Sequence, residues 1–406
     1  MTARRRDTMA KPVRGTPSWL RETNERTALS LLFEHGVLTR NQLGELSGLS
    51  KPTASQIVSR LEQTGIIEAV GEVSGGRGPN AASYGVRTDR VLGVAVEIDD
   101  AVIRSTAVDA TGAEHPVAEA EIDRAGRDAA ADLRGTIDSA CASAGFDATA
   151  VRTVTIGLQG SIDPRTDELS FIDTLPGWPR KAVSATLADA LGRDVQIDND
   201  VNLAAIAERC EGAAHGASSF ALLWMGEGLG LAVDLAGTVH HGAAGGAGEI
   251  GYLPVPRVAE PIDADATNLQ DLLGGPALVR LAAQHGVHAR SLADLCAILA
   301  THPAREAVLS ALAPRIALGI VPVLAILDPE TIVLGGPLGS AGGAELAALV
   351  SGEIQTATLW NPMVAASEVA QFPVLRGARE LLLRDVRKRL LGELGEEESE
   401  KRRATT

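Results

Sequence analysis

Cysteine is scarce in this chain. Cys141, Cys210 and Cys296 are the three in 406 residues; they lie far apart and none shares a metal-ligand spacing with another. That argues against a disulfide framework and fits a reducing compartment. Aromatic residues make up 3% of the chain, and no stretch approaches the roughly 20 uninterrupted apolar residues that a membrane span needs, so no transmembrane helix is expected. Met1 to Arg14 carries Arg4, Arg5, Arg6, Lys11 and Arg14 without an apolar stretch behind them. It reads as neither a secretory signal nor an anchor, and the expected location is the cytoplasm.

Positive charge is scarce too, except at the front. Residues 1–90 hold thirteen Lys/Arg and nine Asp/Glu, a balance of +4, which leaves −19 for the remainder of a chain totalling −15. The acidic remainder repels a phosphate backbone, so any contact with nucleic acid belongs to the front segment. The length accommodates two or three domains with buried cores.

The front segment reads as a disordered basic tail over 1–18 and a domain over 19–90. Leu29, Leu32 and Phe33 form an apolar stripe within Thr27 to Glu34, and Leu43 and Leu46 mark a short helix behind the N-cap Thr39. Gly48 breaks it. Ser50 caps a third helix that opens with Lys51-Pro52, buries Ala54, Ile57, Val58 and Leu61, and ends at Gly65. A short helix, a glycine turn and a longer helix with a polar outer face make a helix-turn-helix, whose second helix enters the major groove of double-stranded DNA. That outer face offers Lys51, Thr53, Ser55, Gln56, Ser59 and Arg60 as candidate DNA contacts. The strand Ile66 to Val70 and the turn Ser74 to Pro79 add a wing that carries Arg77 towards a minor groove. Singly, the polar face is a solvated surface and Arg77 an ordinary loop arginine; the combination points to DNA.

From Val91 the pattern turns to alternating strands and helices. Val91 to Ile98, Val102 to Asp109 and Val117 to Ile122 read as neighbouring strands, followed by a helix near Asp128 to Ser143 and a strand at Val151 to Leu158. The outline then repeats: Phe220 to Met225 and Leu231 to Leu235 flank the loop Gly226-Glu227-Gly228-Leu229-Gly230, Thr238 to His241 begins another strand, and Thr331 to Leu334 runs into Gly335-Gly336. Two α/β halves with a cleft between them follow, over 91–200 and 201–392. The amphipathic run Ala378 to Gly392 is assigned to the second half as a docking helix, and 393–406 is read as a disordered charged tail.

The segments Thr155 to Asp163 (TIGLQGSID), Leu175-Pro176-Gly177-Trp178, Asn199-Asp200-Val201-Asn202, Gly242 to Tyr252 (GAAGGAGEIGY) and Val333-Leu334-Gly335-Gly336 resemble, in order and spacing, the landmarks of the ROK family of repressors, open reading frames and kinases. The likeness covers most of residues 91–385, and a winged helix-turn-helix in front resembles the family's regulator branch. It implies a duplicated actin-like, ribonuclease-H-type α/β fold, a sugar in the interdomain cleft, and homodimers or homotetramers. By the same resemblance, Gly160, Asn199, Asp200, Glu249, Tyr252 and Gln270 are the candidate ligand-binding residues. A simpler reading of Asp200 makes it the cap of a helix starting at Val201.

Several positions depart from the family pattern. The first phosphate loop, Asp-x-Gly-Gly-Thr in ROK kinases, reads Ala95, Val96, Glu97, Ile98, Asp99. The metal-side acid is lost, both glycines are filled, and a carboxylate replaces a hydroxyl. Glu227 repeats that change in the second loop. A carboxylate ~5 Å from a phosphate charge repels it by a few kcal/mol at an effective dielectric near 20, and phosphoryl transfer depends on charge neutralisation, so no kinase activity is expected. The family's Gly-His is Gly251-Tyr252, and its zinc loop is replaced by Arg257 to Gln270, which has no cysteine. No thiolate zinc site can form there, no metal or cofactor is expected, and packing must order the loop, with Tyr252 in the histidine's place and Leu269, Leu272 and Leu273 burying its end. His240 and His241, adjacent on a strand, face opposite ways and suit one metal poorly.

The sequence thus reads as a sugar-responsive regulator, a repressor of carbohydrate uptake or catabolism acting on a palindromic operator. Two other readings stay open: a working sugar kinase with an accessory DNA domain, which needs a phosphate cradle, and a ligand-independent DNA-binding protein whose body only dimerises, which the changes at Tyr252 and Gln270 allow.

Overall fold

The computed structural model describes residues 15–73, 80–99, 101–122, 127–170, 175–259 and 261–404. The front domain comprises α1 (Pro17–His35), a two-residue strand β1 (Leu38–Thr39), α2 (Arg40–Ser47), α3 (Lys51–Gln63), β2 (Ile67–Val73) and β3 (Ala81–Val86). The first helix is longer than the Thr27 to Glu34 stripe indicates, because Thr16 caps it and Pro17 opens it. Thr39 and Gln42 form a reciprocal capping box on α2, Gly48 closes that helix in the left-handed region, and Ser50 caps α3. Strand β3 lies between β1 and β2 in an antiparallel sheet. The expected wing turn, with Arg77, lies outside the described residues.

The first half contains β4 (Leu92–Ile98), β5 (Val102–Val108), β6 (Ala118–Glu121), α4 (Ala129–Ala144), β7 (Val151–Leu158), the hairpin β8 (Ser161–Asp163) and β9 (Glu168–Ser170), α5 (Val183–Leu191), β10 (Asp194–Asn199) and α6 (Asp200–Glu211). The second contains β11 (Ser219–Met225), β12 (Leu229–Leu235), β13 (Thr238–Val239), α7 (Leu269–Leu273), α8 (Gly275–Gln284), α9 (Leu292–Leu299), α10 (Arg305–Leu327), β14 (Thr331–Gly335), α11 (Gly336–Ala357), β15 (Met363–Ala366) and α12 (Pro373–Ala404). The sheet orders β10-β7-β4-β5-β6 and β15-β14-β11-β12-β13 are the same order twice. In each, the first strand pairs antiparallel with the second and parallel with the fourth. The duplication is therefore real, and the two glycine or pseudo-glycine loops are the equivalent hairpin turns after β4 and β11.

Helices α4 and α5 cover one face of the first sheet, and α8 to α11 cover one face of the second. The other faces are closed by exchange. Helix α6, which ends the first half and so carries it to Glu211 rather than residue 200, packs Leu203 and Ala204 with Phe220 and Leu222 of the second sheet, while α12, which ends the second half, packs on the first sheet through Val374 and Leu382. Where α6 and α12 cross, a Cβ on Gly377 would run into the Leu203 carbonyl oxygen, so only glycine permits the approach.

That packing corrects the placement of the C-terminal helix. It begins at Pro373 and stays helical through Ala404, so most of the segment read as a disordered tail is a continuous part of α12. Val386, Leu390 and Leu394 join the core of the front domain with Ala28, Leu29, Leu32 and Val91. Among the described residues α10 is the helix long and apolar enough to cross a membrane, but Val308, Leu309, Leu312, Ile316 and Ile320 lie in the core of the second half, and Arg315 is buried within it.

Candidate functional site

Two regions concentrate polar chemistry. The first is the outer face of α3. Lys51 and Gln56 are exposed, and Thr53, Ser55 and Ser59 are half-buried beside them. Thr53 shares its hydroxyl with the cap Ser50 at 2.8 Å. Arg60 is committed inward, its Nε lying 3.2 Å from the buried Glu25 carboxylate of α1. It therefore ties α3 to α1, and among the described residues Lys51, Ser55, Gln56 and Ser59 show no side-chain hydrogen bond and remain open on this face.

The second region is the cleft between the halves, a cavity of about 470 Å³ at the head of α6. Gly160, Asn199, Asp200, Glu249, Tyr252 and Gln270 all line it, so the structure brings together every cleft residue expected from the sequence. Gln159, Asn202, Trp224, Glu227 and Asn268 line it as well. Asn202 was legible in the Asn-Asp-x-Asn segment, and Trp224 stands two residues before the glycine loop.

The individual roles differ from the expectation. Asn199, not Asp200, is the N-cap of α6: its Oδ1 accepts from the amides of Val201 at 2.9 Å and Asn202 at 3.2 Å, and its Nδ2 donates to the Gly160 carbonyl at 2.9 Å. This fastens the β7–β8 turn to the helix and leaves Asn199 little capacity for a ligand. Asp200 is the first helical residue, and its carboxylate accepts the Val201 amide at 2.8 Å. Desolvation, reinforced by the charges of Glu97, Glu249 and Asp99, pushes Asp200 up to about 7. Burial also pushes Glu97 up to about 7, against the attraction of Arg104, and it raises Glu249.

Gln270 acts as a clamp. Its Oε1 accepts from the Leu229 amide at 2.8 Å and its Nε2 donates to the Glu227 carbonyl at 3.0 Å, pinning the glycine loop from both sides. At the opposite loop, Arg104 lies 3.8 Å from both Glu97 and Asp99 and 3.0 Å from Glu119. Gly248, at φ +90°, crosses β12 so closely that a Cβ would overlap the Leu231 carbonyl, and this holds Glu249 against the cavity.

Tyr252 lines the cavity at its mouth, where it is 67% exposed. The loop behind it is held by Arg315 of α10, a residue the sequence reading passed over. That guanidinium is 3% exposed and contacts the Asp263 carboxylate, the Leu272 carbonyl and the Ile262 carbonyl, each at 3.2 Å. Leu269, Leu272 and Leu273 are buried as expected. His241 bonds to Asp198 at 3.0 Å beside a neighbouring space of about 370 Å³, while His240 is exposed.

The family model described as ROK family matches residues 94–385. The chain belongs to the ROK family. A model described as winged helix-turn-helix DNA-binding matches residues 21–68 in front of the ROK body. The chain is 24% identical over 247 residues to the xylose repressor of Caldicellulosiruptor bescii, covering 59% of this chain and 61% of that one. It is 27% identical over 183 residues to the glucokinase of Halalkalibacterium halodurans, covering 41% of this chain and 56% of that one. The chain thus spans less than two thirds of the length of each of these two curated relatives. A crystal structure of a ROK family transcriptional regulator, a homolog of the E. coli MLC protein, superposes with a TM-score of 0.67 at 19% identity, over 93% of this chain and 99% of that one. At that identity the likeness shows the fold: a winged helix-turn-helix followed by the duplicated ROK body.

Proposed function

We propose that this chain is a sugar-responsive DNA-binding regulator, a repressor of carbohydrate uptake or catabolism, that acts as a homo-oligomer on a palindromic operator and phosphorylates no sugar. The observation that carries this reading is one of continuity. The cavity opens at the head of α6, α6 crosses α12 at Gly377, and the far end of α12 is part of the core of the DNA-reading domain. A ligand that favours one angle between the halves would bias the placement of the reading head, which is coupling through differential affinity for two states. The alternative of a working kinase is opposed by Asp99 and Glu227 at the two loops where phosphates would sit, and by Ala95 in place of an acid.

The test begins with the DNA retained by the full-length protein from fragmented genomic DNA. The captured operator is then titrated with and without a panel of pentoses and hexoses. At least one sugar should change operator affinity several-fold, and none should be phosphorylated by ATP with magnesium. Turnover that vanishes in Asp200→Ala would reinstate the kinase; an operator complex indifferent to every sugar would favour a ligand-independent regulator.

A further inference from the structure

Glu227 occupies an unusual place in the cleft. A glycine-rich hairpin turn facing a helix N-terminus is an arrangement that ordinarily receives an anion, since its amides and the helix dipole both point positive ends at the space between them. Here the turn carries an acid at that space: Glu227, an exposed residue, lines the cavity. The Glu227 carboxylate lies against Gly275, the first residue of the ten-residue helix α8, where a Cβ would come within 2.8 Å of its Oε2. The Gly275 amide donates to the Glu227 carbonyl at 3.1 Å. Two of the turn's own donors are also engaged: the Gly226 amide donates to the Gly228 carbonyl at 3.0 Å, and the Leu229 amide to Gln270 at 2.8 Å. Across the cavity stand Asp200 and Glu249, and among the described residues that line it there is no Lys, Arg or His.

We propose that Glu227 is a built-in anion that fills the phosphate end of the cleft, so that the cavity accepts uncharged or amine-bearing sugars and rejects those carrying a phosphate or carboxylate. This rests on reading the cavity as a sugar site and adds the charge class of its ligand. Glu227 is then a specificity-determining residue: its charge sets what the remaining volume can hold.

The experiment uses the full chain and two variants, Glu227→Gln, which keeps the shape, and Glu227→Ala, which empties the space. The probes are inorganic pyrophosphate and matched sets of glucose, glucosamine and glucose 6-phosphate, with corresponding pentose sets, followed by calorimetry and thermal shift. The wild type should show no saturable pyrophosphate binding, and the variants should gain at least about ten-fold in pyrophosphate affinity, equivalent to about 1.4 kcal/mol. In any skeleton that binds, the phosphorylated member should be the weakest in the wild type and should recover in the variants. Pyrophosphate binding as tight in the wild type as in the variants, or no gain in either folded variant, overturns the proposal. Failure of the regulator reading would show separately, as an operator complex unmoved by any sugar whatever the pyrophosphate result.

Discussion

Arg315→Met tests how the loop between Gly251 and Gly275 is held. The substitution keeps the length and most of the apolar volume of the side chain and deletes its donors. Two backbone carbonyls, those of Ile262 and Leu272, lose a partner, as does the Asp263 carboxylate, which is 21% exposed and regains water more readily. A buried polar group left unsatisfied costs ~1–3 kcal/mol, and breaking one side of a buried ion pair ~3–5 kcal/mol, so a loss of about 3–4 kcal/mol is expected. The loss is local. Leu269, Leu272 and Leu273 pack with Ile316 and Ile320 of α10, so the loop and α7 should exchange amide hydrogens faster, while residues 17–73 of the front domain stay unchanged. Hydrogen exchange and thermal melting of the full chain read both effects, and elemental analysis of the wild type should find no stoichiometric zinc. A variant that melts within about 0.5 kcal/mol of the wild type would refute the reasoning. So would a wild-type loop that loses protection when a chelator strips zinc from the protein, in which case His240, His241 and Cys210 are the first ligands to examine.

Replacing Gln56 by Ala should relax base preference at one operator position by ~1–3 kcal/mol, whereas Lys51→Ala should weaken all sequences alike and lower the salt slope by about one, as read from binding to operator variants across salt. If both variants weakened binding evenly, α3 would be a backbone contact only. Asp200 supplies the pH dependence. Its folded value near 7 lies above the ordinary 3.8, so the folded chain keeps a proton that the unfolded chain has lost, and its contribution falls as pH rises across that window. The shift alone bounds the effect near 4 kcal/mol, and solvent in the open cleft together with sharing among Glu97 and Glu249 brings it to about 1–2 kcal/mol. Asp200→Asn should therefore be the more stable protein at pH 8 and show a flatter melting profile from pH 5 to 8; equal slopes would mean that the carboxyl is ionised throughout. Gly377→Ala should push α12 off α6 at a cost of ~1–3 kcal/mol and diminish the response of operator binding to sugar. An unchanged response would remove the α6–α12 crossing from the coupling.

What the sequence made legible were features with local causes. Thr39, Ser50 and Gly48 mark helix ends by chemistry acting within four residues, and the boundaries of α2 and α3 follow from them. Strand β7 spans Val151–Leu158, as its apolar run indicates. The cleft residues were found because the segments carrying them resemble known ones, yet their roles depended on partners far along the chain. Gln270 reaches the Glu227 turn 43 residues away, and Asn199 reaches Gly160. Helix α12 shows the limit most clearly. Periodicity marks Leu390 as buried but does not say against what, and the partner is the domain at the other end of the chain. Arg315 left one signal, an arginine in the middle of an apolar helix, which burial makes meaningful only when its acceptors are known.

The exchange of α6 and α12 gives the molecule a direct mechanical logic. Each half ends in a helix that covers the other half's sheet, so a change in the angle between the sheets cannot leave both helices in place. Their crossing is tight, and packed interfaces have discrete arrangements rather than a continuum. Below the crossing, α6 presents Asp200 to the cavity. Beyond it, Arg387 of α12 spans the junction, donating to the Ala110 carbonyl at 2.9 Å and lying 5.0 Å over the Phe33 ring, and Arg90 joins Glu393 at 2.6 Å and the Thr64 carbonyl at 2.7 Å. These contacts tie the tail of α12 to α1 and to the end of α3, so on the proposed reading a shift of the helix would be passed to the front domain. A ligand that binds both angles of the cleft equally would change nothing, however tightly it bound. On the proposed reading, regulation would depend on contacts made from both halves at once, and Asp200 at the head of α6 and Glu249 beside β12 both line the cavity where such contacts would be made.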